Sequence, residues 1–92
     1  MKNFTRMDLI ITGKVQGVGF RYFVKKEAEK LGISGYVKNE IDGSVFVVAE
    51  GNLNDLESLT KLCNLGSPHS VVKKVKIIKK QIENLEGFNV IY

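Results

Sequence analysis

A glycine-spaced stretch, Gly13-Lys14-Val15-Gln16-Gly17-Val18-Gly19-Phe20, ends at a single arginine, Arg21, and Asn39 follows further along the chain. Successive backbone N–H groups at the start of a helix form a concavity that favours an anion. The Arg21 guanidinium adds a planar fork of donors that matches phosphate oxygens. Asn39 supplies a neutral amide that both donates and accepts hydrogen bonds. These residue types predict a phosphate cradle with a partner that positions a water molecule.

A strand and a helix must hold this cradle. Met7 to Thr12 is a short, nearly continuous apolar run, which predicts a central strand. Beyond the loop, apolar residues recur at helical spacing, and the positions are Phe20, Phe23, Val24, Ala28 and Leu31. Gly32 predicts the end of that helix. The cradle therefore joins the end of a strand to the first turn of a helix.

The middle of the chain predicts a hairpin and a second helix. Ile33 to Asn39 and Ser44 to Glu50 are predicted strands on either side of an Asp-Gly turn signal. Asn54 and Glu57 have the spacing of a capping box, which predicts that the second helix begins there. Its predicted buried stripe consists of Leu56, Leu59, Leu62 and Cys63. The helix is predicted to end at Gly66-Ser67-Pro68.

Two further strands complete the predicted order. Val71 to Ile82 is a strand rich in lysine, and the lysines predict a solvated face or a protected sheet edge. Phe88 to Tyr92 alternates as a short final strand. The order β-α-β-β-α-β predicts an α+β sandwich, with an antiparallel sheet, two helices on one face and a short extra C-terminal strand.

Length and composition indicate one soluble globular domain over residues 1–92. The apolar content is 43% and the charged content is 26%, as in folded soluble proteins. One cysteine, Cys63, excludes an internal disulfide, and we expect no metal site because the sequence has no CxxC motif and no Cys/His cluster. The sequence has no secretory signal pattern and no run of membrane-spanning length, so we expect a cytoplasmic protein.

The net charge of +4 and the pI near 9.3 allow two classes of partner, a nucleic acid or a small anionic substrate. The basic residues are scattered along the chain rather than massed, which favours the small anion. We expect no nucleic-acid partner, no membrane partner and a monomeric protein.

Two long motifs in this chain resemble the signatures of the acylphosphatase family. Gly13 to Arg21 is similar to the first signature, and Gly35-Tyr36-Val37-Lys38-Asn39, followed by Gly43, Val45 and Gly51, is similar to the second. The resemblance extends over essentially the whole chain. It implies a small ferredoxin-like enzyme that hydrolyses the carboxyl-phosphate bond of acyl phosphates without a metal or cofactor.

The resemblance also implies the roles of individual residues. Arg21 would bind the substrate phosphate, and Asn39 would orient the attacking water. The loop would supply backbone N–H groups from Val15, Gln16, Gly17, Val18, Gly19 and Phe20. The substrate's own phosphate would accept the proton of the water, so the absence of a paired carboxylate or an activated nucleophile is consistent with this chemistry.

Two other functions remain open. An RNA-recognition module has the same element order, and four residues also fit its signature: Gly17, Gly19, Phe20 and Phe23. However, Val18 replaces a stacking aromatic, and the run lies in the first βα turn rather than on the third strand. Acylphosphatase-like domains also occur in larger carbamoyl-transfer maturation factors, where they bind carbamoyl phosphate. No zinc-finger cysteines follow Tyr92, so we predict a stand-alone enzyme.

Overall fold

The computed structural model describes residues 3–92. Within this range the elements follow the predicted order: β1 Phe4–Lys14, α1 Phe20–Lys30, β2 Ser34–Asn39, β3 Val45–Asn52, α2 Leu53–Leu65, β4 Val71–Lys80 and β5 Phe88–Ile91. Each predicted strand and helix is present, with ends that differ by a few residues.

The strands form one sheet in the order β4-β1-β3-β2-β5. The pairs β1–β3, β1–β4 and β2–β3 are antiparallel, and β5 pairs with β2 in the parallel direction. The fold is therefore the predicted ferredoxin-like α+β sandwich. The extra C-terminal strand makes the sheet mixed, because the chain crosses from the β4 edge to the opposite edge before β5 begins.

Both helices pack on one face of this sheet and enclose a single apolar core. Alternate residues of β3, namely Val45, Val47 and Ala49, point toward the helices, as expected for a strand with one face on the core. The helices contribute the stripes predicted from their spacing: Phe20, Val24 and Ala28 from α1, and Leu56, Leu59 and Cys63 from α2. This packing fixes the position of the first turn of α1 relative to the end of β2.

Segment 81–87, which we call the strap, connects the two edges of the sheet across the face without helices. Glu50, only 2% exposed, accepts hydrogen bonds from the backbone N–H groups of Glu83 and Leu85 at 2.6 and 2.9 Å. Arg6 forms ion pairs with Asp8 at 2.9 Å and with Glu83 at 3.1 Å. The hydrogen bond to Asp8 is the main reason that the pKa of Arg6 is raised. A buried carboxylate thus anchors a segment without regular structure.

The capping-box prediction for the second helix is wrong. β3 continues directly into α2, so the helix begins at Leu53 and its N-cap is Asn52, which has an extended backbone and no side-chain capping bond. Asn54 therefore lies inside the first turn, where its carbonyl oxygen accepts a hydrogen bond from the Ser58 hydroxyl at 3.2 Å. The sequence pattern could not reveal that no loop separates strand from helix.

The lysine-rich strand lies at the sheet edge, as predicted. β4 is the outermost strand on its side, and its lysines are exposed: Lys73, Lys74, Lys76, Lys79 and Lys80. Charged side chains on an edge strand discourage pairing with another chain. Neither helix in residues 3–92 has the length and apolar character needed to span a membrane.

Candidate active site

A small cavity of about 160 Å³ lies where the β1–α1 loop meets the end of β2 and the C-terminal strand. Most of the predicted site residues line it. The lining residues are Val15, Gly17, Gly19, Phe20, Arg21, Tyr22, Asn39, Val90 and Tyr92. The fold thus brings Arg21 and Asn39, which are distant in the sequence, to one cavity.

The loop before α1 owes its shape to two glycines. Gly17 has φ of 74° and Gly19 has φ of 76°, both in the left-handed region that favours glycine. No atom lies within 4 Å of where a Cβ would stand at either position, so the backbone there is open. Val15 and Phe20, each 1% exposed, anchor the two ends of the loop in the core. The result is an exposed turn with fixed ends.

The N-terminus of α1 opens into the same cavity. The first N–H groups of a helix have no acceptor within the helix, and at this end of α1 the Phe23 N–H donates to the Gly19 carbonyl oxygen at 3.0 Å. The first turn contains no acidic residue. Free N–H groups and the positive end of the helix dipole therefore face the cavity without a carboxylate in the first turn to neutralise them.

Arg21 stands in this first turn, and the C-terminal strand holds its guanidinium. Its Nη1 donates to the Ile91 carbonyl oxygen at 3.4 Å, and its Cζ lies 4.8 Å from the centre of the Tyr92 ring. A guanidinium has five N–H donors, so several remain for a ligand. Within residues 3–92, Arg21 forms no ion pair with a carboxylate. The cavity consequently keeps its positive charge.

Asn39 is the last residue of β2 and completes the cavity from the sheet side. Its carboxamide oxygen Oδ1 is buried and has no hydrogen-bond partner in the part of the chain that the structure describes. Buried polar atoms are nearly always paired, so an unpaired acceptor calls for an explanation. Asn39 as a residue lines the cavity, so its carboxamide is the neutral donor and acceptor group that the sheet side supplies there.

Gln16 and Val18, which we predicted as part of the cradle, do not line the cavity. Val18 packs against the core, and its carbonyl oxygen accepts a hydrogen bond from Ser67 Oγ at 3.4 Å. The Gln16 side chain reaches away, to the Glu40 and Ser44 carbonyl oxygens, each at 2.8 Å. Both residues therefore support the loop through contacts outside the cavity.

Three residues that line the cavity were not predicted from the sequence as site residues: Tyr22, Val90 and Tyr92. Tyr22 is on the exposed side of the α1 pattern, where nothing distinguishes it from a solvated residue. Val90 lies in β5 and Tyr92 follows the end of that strand, and the parallel pairing of β5 with β2 brings both near the loop. No local pattern predicts that pairing.

The described residues offer no metal site. Residues 3–92 contain no group of three or more His, Cys, Asp or Glu side chains placed to hold a metal ion. What the cavity presents is a cation, a helix N-terminus, a glycine loop and one amide. Such a set suits an anionic group with several oxygens, and phosphate is the common biological example.

Comparison with known proteins agrees with this chemistry. A model of the acylphosphatase family matches residues 7–90. The chain is 43% identical, over 86 residues, to an acylphosphatase of Archaeoglobus fulgidus, covering 94% of this chain and 97% of that one. It also resembles the crystal structure of acylphosphatase from Bacillus subtilis, with a TM-score of 0.93, 40% identity and coverage of 96% and 99% of the two chains.

The same fold also occurs inside a much larger protein. Full-length HypF matches all of this chain with a TM-score of 0.90, but only 24% of residues are identical and the match covers 12% of the HypF chain. That likeness concerns the fold alone. The close relatives and the family match lead to one conclusion: this chain belongs to the acylphosphatase family and is a hydrolase of the class that acts on acid anhydrides.

Proposed function

We propose that this protein hydrolyses small acyl phosphates to a carboxylate and inorganic phosphate, using Arg21 to bind the phosphate and Asn39 to orient the attacking water. The observation that carries this proposal is the meeting of both side chains at one cavity of about 160 Å³ beside the N-terminus of α1. A space of this size suits a phosphate group and a water molecule, with the acyl group projecting outward.

Arg21 and the loop backbone would hold the phosphate together. The guanidinium fork can donate two parallel hydrogen bonds to phosphate oxygens, and the N–H groups from Val15 to Phe20 can donate to the others. An anion between Arg21 and the helix N-terminus also explains an otherwise unfavourable placement, because a cation in the first turn opposes the helix dipole. These donors become more effective as negative charge grows on the phosphoryl oxygens in the transition state.

Asn39 would orient the water through its side-chain carboxamide. A water molecule held by this carboxamide at the cavity has a lone pair free to face the phosphorus atom. The water oxygen forms a bond to phosphorus, the bond from phosphorus to the acyl oxygen breaks, and the carboxylate leaves with the electron pair. A phosphate oxygen of the substrate accepts the proton of the water, so no side chain needs to act as a base.

The hydrolysis of a mixed anhydride requires little covalent chemistry from the protein. Its carboxylate is a good leaving group, so positioning and charge stabilisation can supply most of the rate enhancement. We therefore propose catalysis without a metal ion or cofactor. We further place the enzyme in the reducing cytoplasm as a monomer that binds no nucleic acid, in keeping with its single buried cysteine and its dispersed charge.

The proposal is tested by determining whether water attacks the phosphorus atom or the carbonyl carbon of the substrate. Benzoyl phosphate is hydrolysed by the wild-type protein in water enriched in the heavy oxygen isotope, with EDTA present, and both products are analysed by mass spectrometry. We expect turnover that EDTA leaves unchanged, with the label in phosphate. Label in benzoate would show attack at the carbonyl carbon and would contradict the role of the cradle, and loss of activity with EDTA would contradict metal independence.

A further inference from the structure

Gln16 links the two halves of the cavity. Its Nε2 lies 2.8 Å from the Glu40 carbonyl oxygen and 2.8 Å from the Ser44 carbonyl oxygen. A carboxamide nitrogen has two hydrogens, so each carbonyl receives one. Both carbonyls belong to the turn between β2 and β3, and Glu40 directly follows Asn39. One side chain of the loop therefore reaches the turn that carries Asn39.

The turn has its own hydrogen bonds and does not need Gln16 to form. The Ser44 carbonyl also accepts the Glu40 N–H at 2.9 Å, and the Glu40 carbonyl also accepts the Gly43 N–H at 3.2 Å. The Asp42 carboxylate accepts hydrogen bonds from the Ser44 hydroxyl at 2.6 Å and from its N–H at 3.0 Å, which lowers the pKa of Asp42. What Gln16 adds is the connection to the loop.

The loop is likewise anchored without Gln16. Val15 and Phe20 are buried at its two ends, and the Val18 carbonyl accepts the hydrogen bond from Ser67. Each half of the cavity is thus held separately by its own contacts. Core packing brings the two halves together, and the two bonds from Gln16 add a direct hydrogen-bonded connection between the loop and the turn that carries Asn39.

We propose that Gln16 is a positioning residue for the hydrolytic reaction, which sets the distance and orientation of Asn39 relative to the phosphate-binding loop. This inference rests on the function proposed above. The Gln16 side chain is bonded to the turn and not directed at the cavity, so this side chain acts on the reaction through Asn39 rather than through the substrate. Attack by water requires close alignment, and a displacement of about 1 Å can cost roughly a hundredfold in rate.

A double-mutant cycle between Gln16 and Asn39 tests the proposal. Gln16→Met keeps most of the side-chain length and removes both donors, and Gln16→Glu keeps the shape but places acceptors against the two carbonyls. Gln81, which is exposed in the strap, provides the matched control Gln81→Met. Steady-state kinetics with benzoyl phosphate gives kcat and KM, and competition with inorganic phosphate gives its inhibition constant.

We expect Gln16→Met to lower kcat by about tenfold to a hundredfold while KM and the inhibition constant of phosphate change less than about threefold. In the Asn39→Ala background, the same substitution should change kcat by less than about twofold, because the group that it positions is gone. Gln81→Met should match the wild type. A role limited to stability would not produce this dependence on Asn39.

Three results would overturn the inference: unchanged kcat in the Gln16 variants, an equal loss in both backgrounds, or a loss confined to phosphate affinity. All assays are run well below the unfolding midpoint of each variant, measured by circular dichroism. If Gln16→Met does not fold, Gln16→Glu is taken through the same cycle. An inactive wild type would remove the proposed function itself, whereas active Gln16 variants beside an impaired Asn39→Ala would remove only this inference.

Discussion

Gly17 and Gly19 are required for backbone conformation rather than for space. Both have φ near +75°, and nothing lies close to the place of a Cβ. A side chain there would be tolerated sterically by its neighbours, but a left-handed backbone costs an L-residue roughly 1–2 kcal/mol. Gly87 in the strap is in the same situation, with φ of 67° and open space around it, but it lies outside the cavity.

We predict that Gly19→Ala lowers both stability and activity, whereas Gly87→Ala lowers stability alone. Chemical denaturation should show a loss of about 1–2 kcal/mol in the free energy of unfolding for each variant. Only Gly19→Ala should also reduce kcat/KM toward benzoyl phosphate, because it reshapes the β1–α1 loop that we propose binds the phosphate. Equal activity of the two variants would contradict a role of the loop conformation in binding.

Cys63 illustrates how burial controls a single ionisable group. Its thiol is fully enclosed in the core beneath α2, and this desolvation raises its pKa to about 12. In the unfolded chain the thiol titrates near its ordinary pKa of about 8.5. Between these two values the folded protein binds one proton more than the unfolded chain, so the stability contributed by this group falls as the pH rises.

We therefore predict that wild-type stability falls more steeply with pH than that of Cys63→Ala. The difference in slope between about pH 9 and pH 11 should approach 1.4 kcal/mol per pH unit at most, since that is the effect of one proton. Urea unfolding at a series of pH values measures it, and lysine titration contributes equally to both proteins. Parallel curves would show that the thiol is accessible to solvent in the folded state.

At the scale of elements, the strap shows how a segment without regular structure is held. Glu50 satisfies two strap N–H groups from a nearly inaccessible position on β3. Hydrogen bonds to a charged group contribute about 1.5–3 kcal/mol each, and removing the acceptor leaves both N–H groups unpaired. The site lies at the other end of β3, where Val45 pairs with Asn39.

Glu50→Ala should consequently destabilise the protein by about 2–4 kcal/mol without lowering kcat in the folded state. Denaturant unfolding gives the first quantity, and kinetics below the unfolding midpoint gives the second. The exposed Glu57 on α2 offers the matched control Glu57→Ala, which should stay within about 0.5 kcal/mol of the wild type. A kcat loss in Glu50→Ala alone would indicate coupling between the strap and the cavity.

The elements that could be predicted from sequence are those whose residues carry a local pattern. A pattern within a few residues was enough to predict three of them: the apolar stripe of α1, the β-branched run of β3 and the Asp-Gly turn. The start of α2 and the parallel pairing of β5 depend on contacts with distant segments, so local spacing could not reveal them. Arg21 and Asn39 could be identified because they belong to sequence motifs. Tyr92 could not, because the pairing of β5 with β2 places it at the cavity.

At the scale of the whole molecule, the fold accounts for how so small a chain can form a site. A core between two helices and one sheet fixes the β1–α1 loop and the end of β2, and β5 closes the cavity from the third side. Gln16 connects the first two of these parts. The proposed chemistry therefore relies on backbone N–H groups and the side chains of Arg21 and Asn39, which suits a reaction driven by positioning and charge.

The measurement that most directly tests this account is kcat/KM for benzoyl phosphate, with EDTA present, in wild type, Arg21→Ala, Asn39→Ala and two controls. The controls are Lys26→Ala and Asn54→Ala, which remove a positive charge and a carboxamide from exposed positions outside the cavity. We predict losses of about a hundredfold to a thousandfold for Arg21→Ala and Asn39→Ala, with both controls close to wild type. Wild-type rates in Arg21→Ala and Asn39→Ala, with both variants folded, would contradict the account.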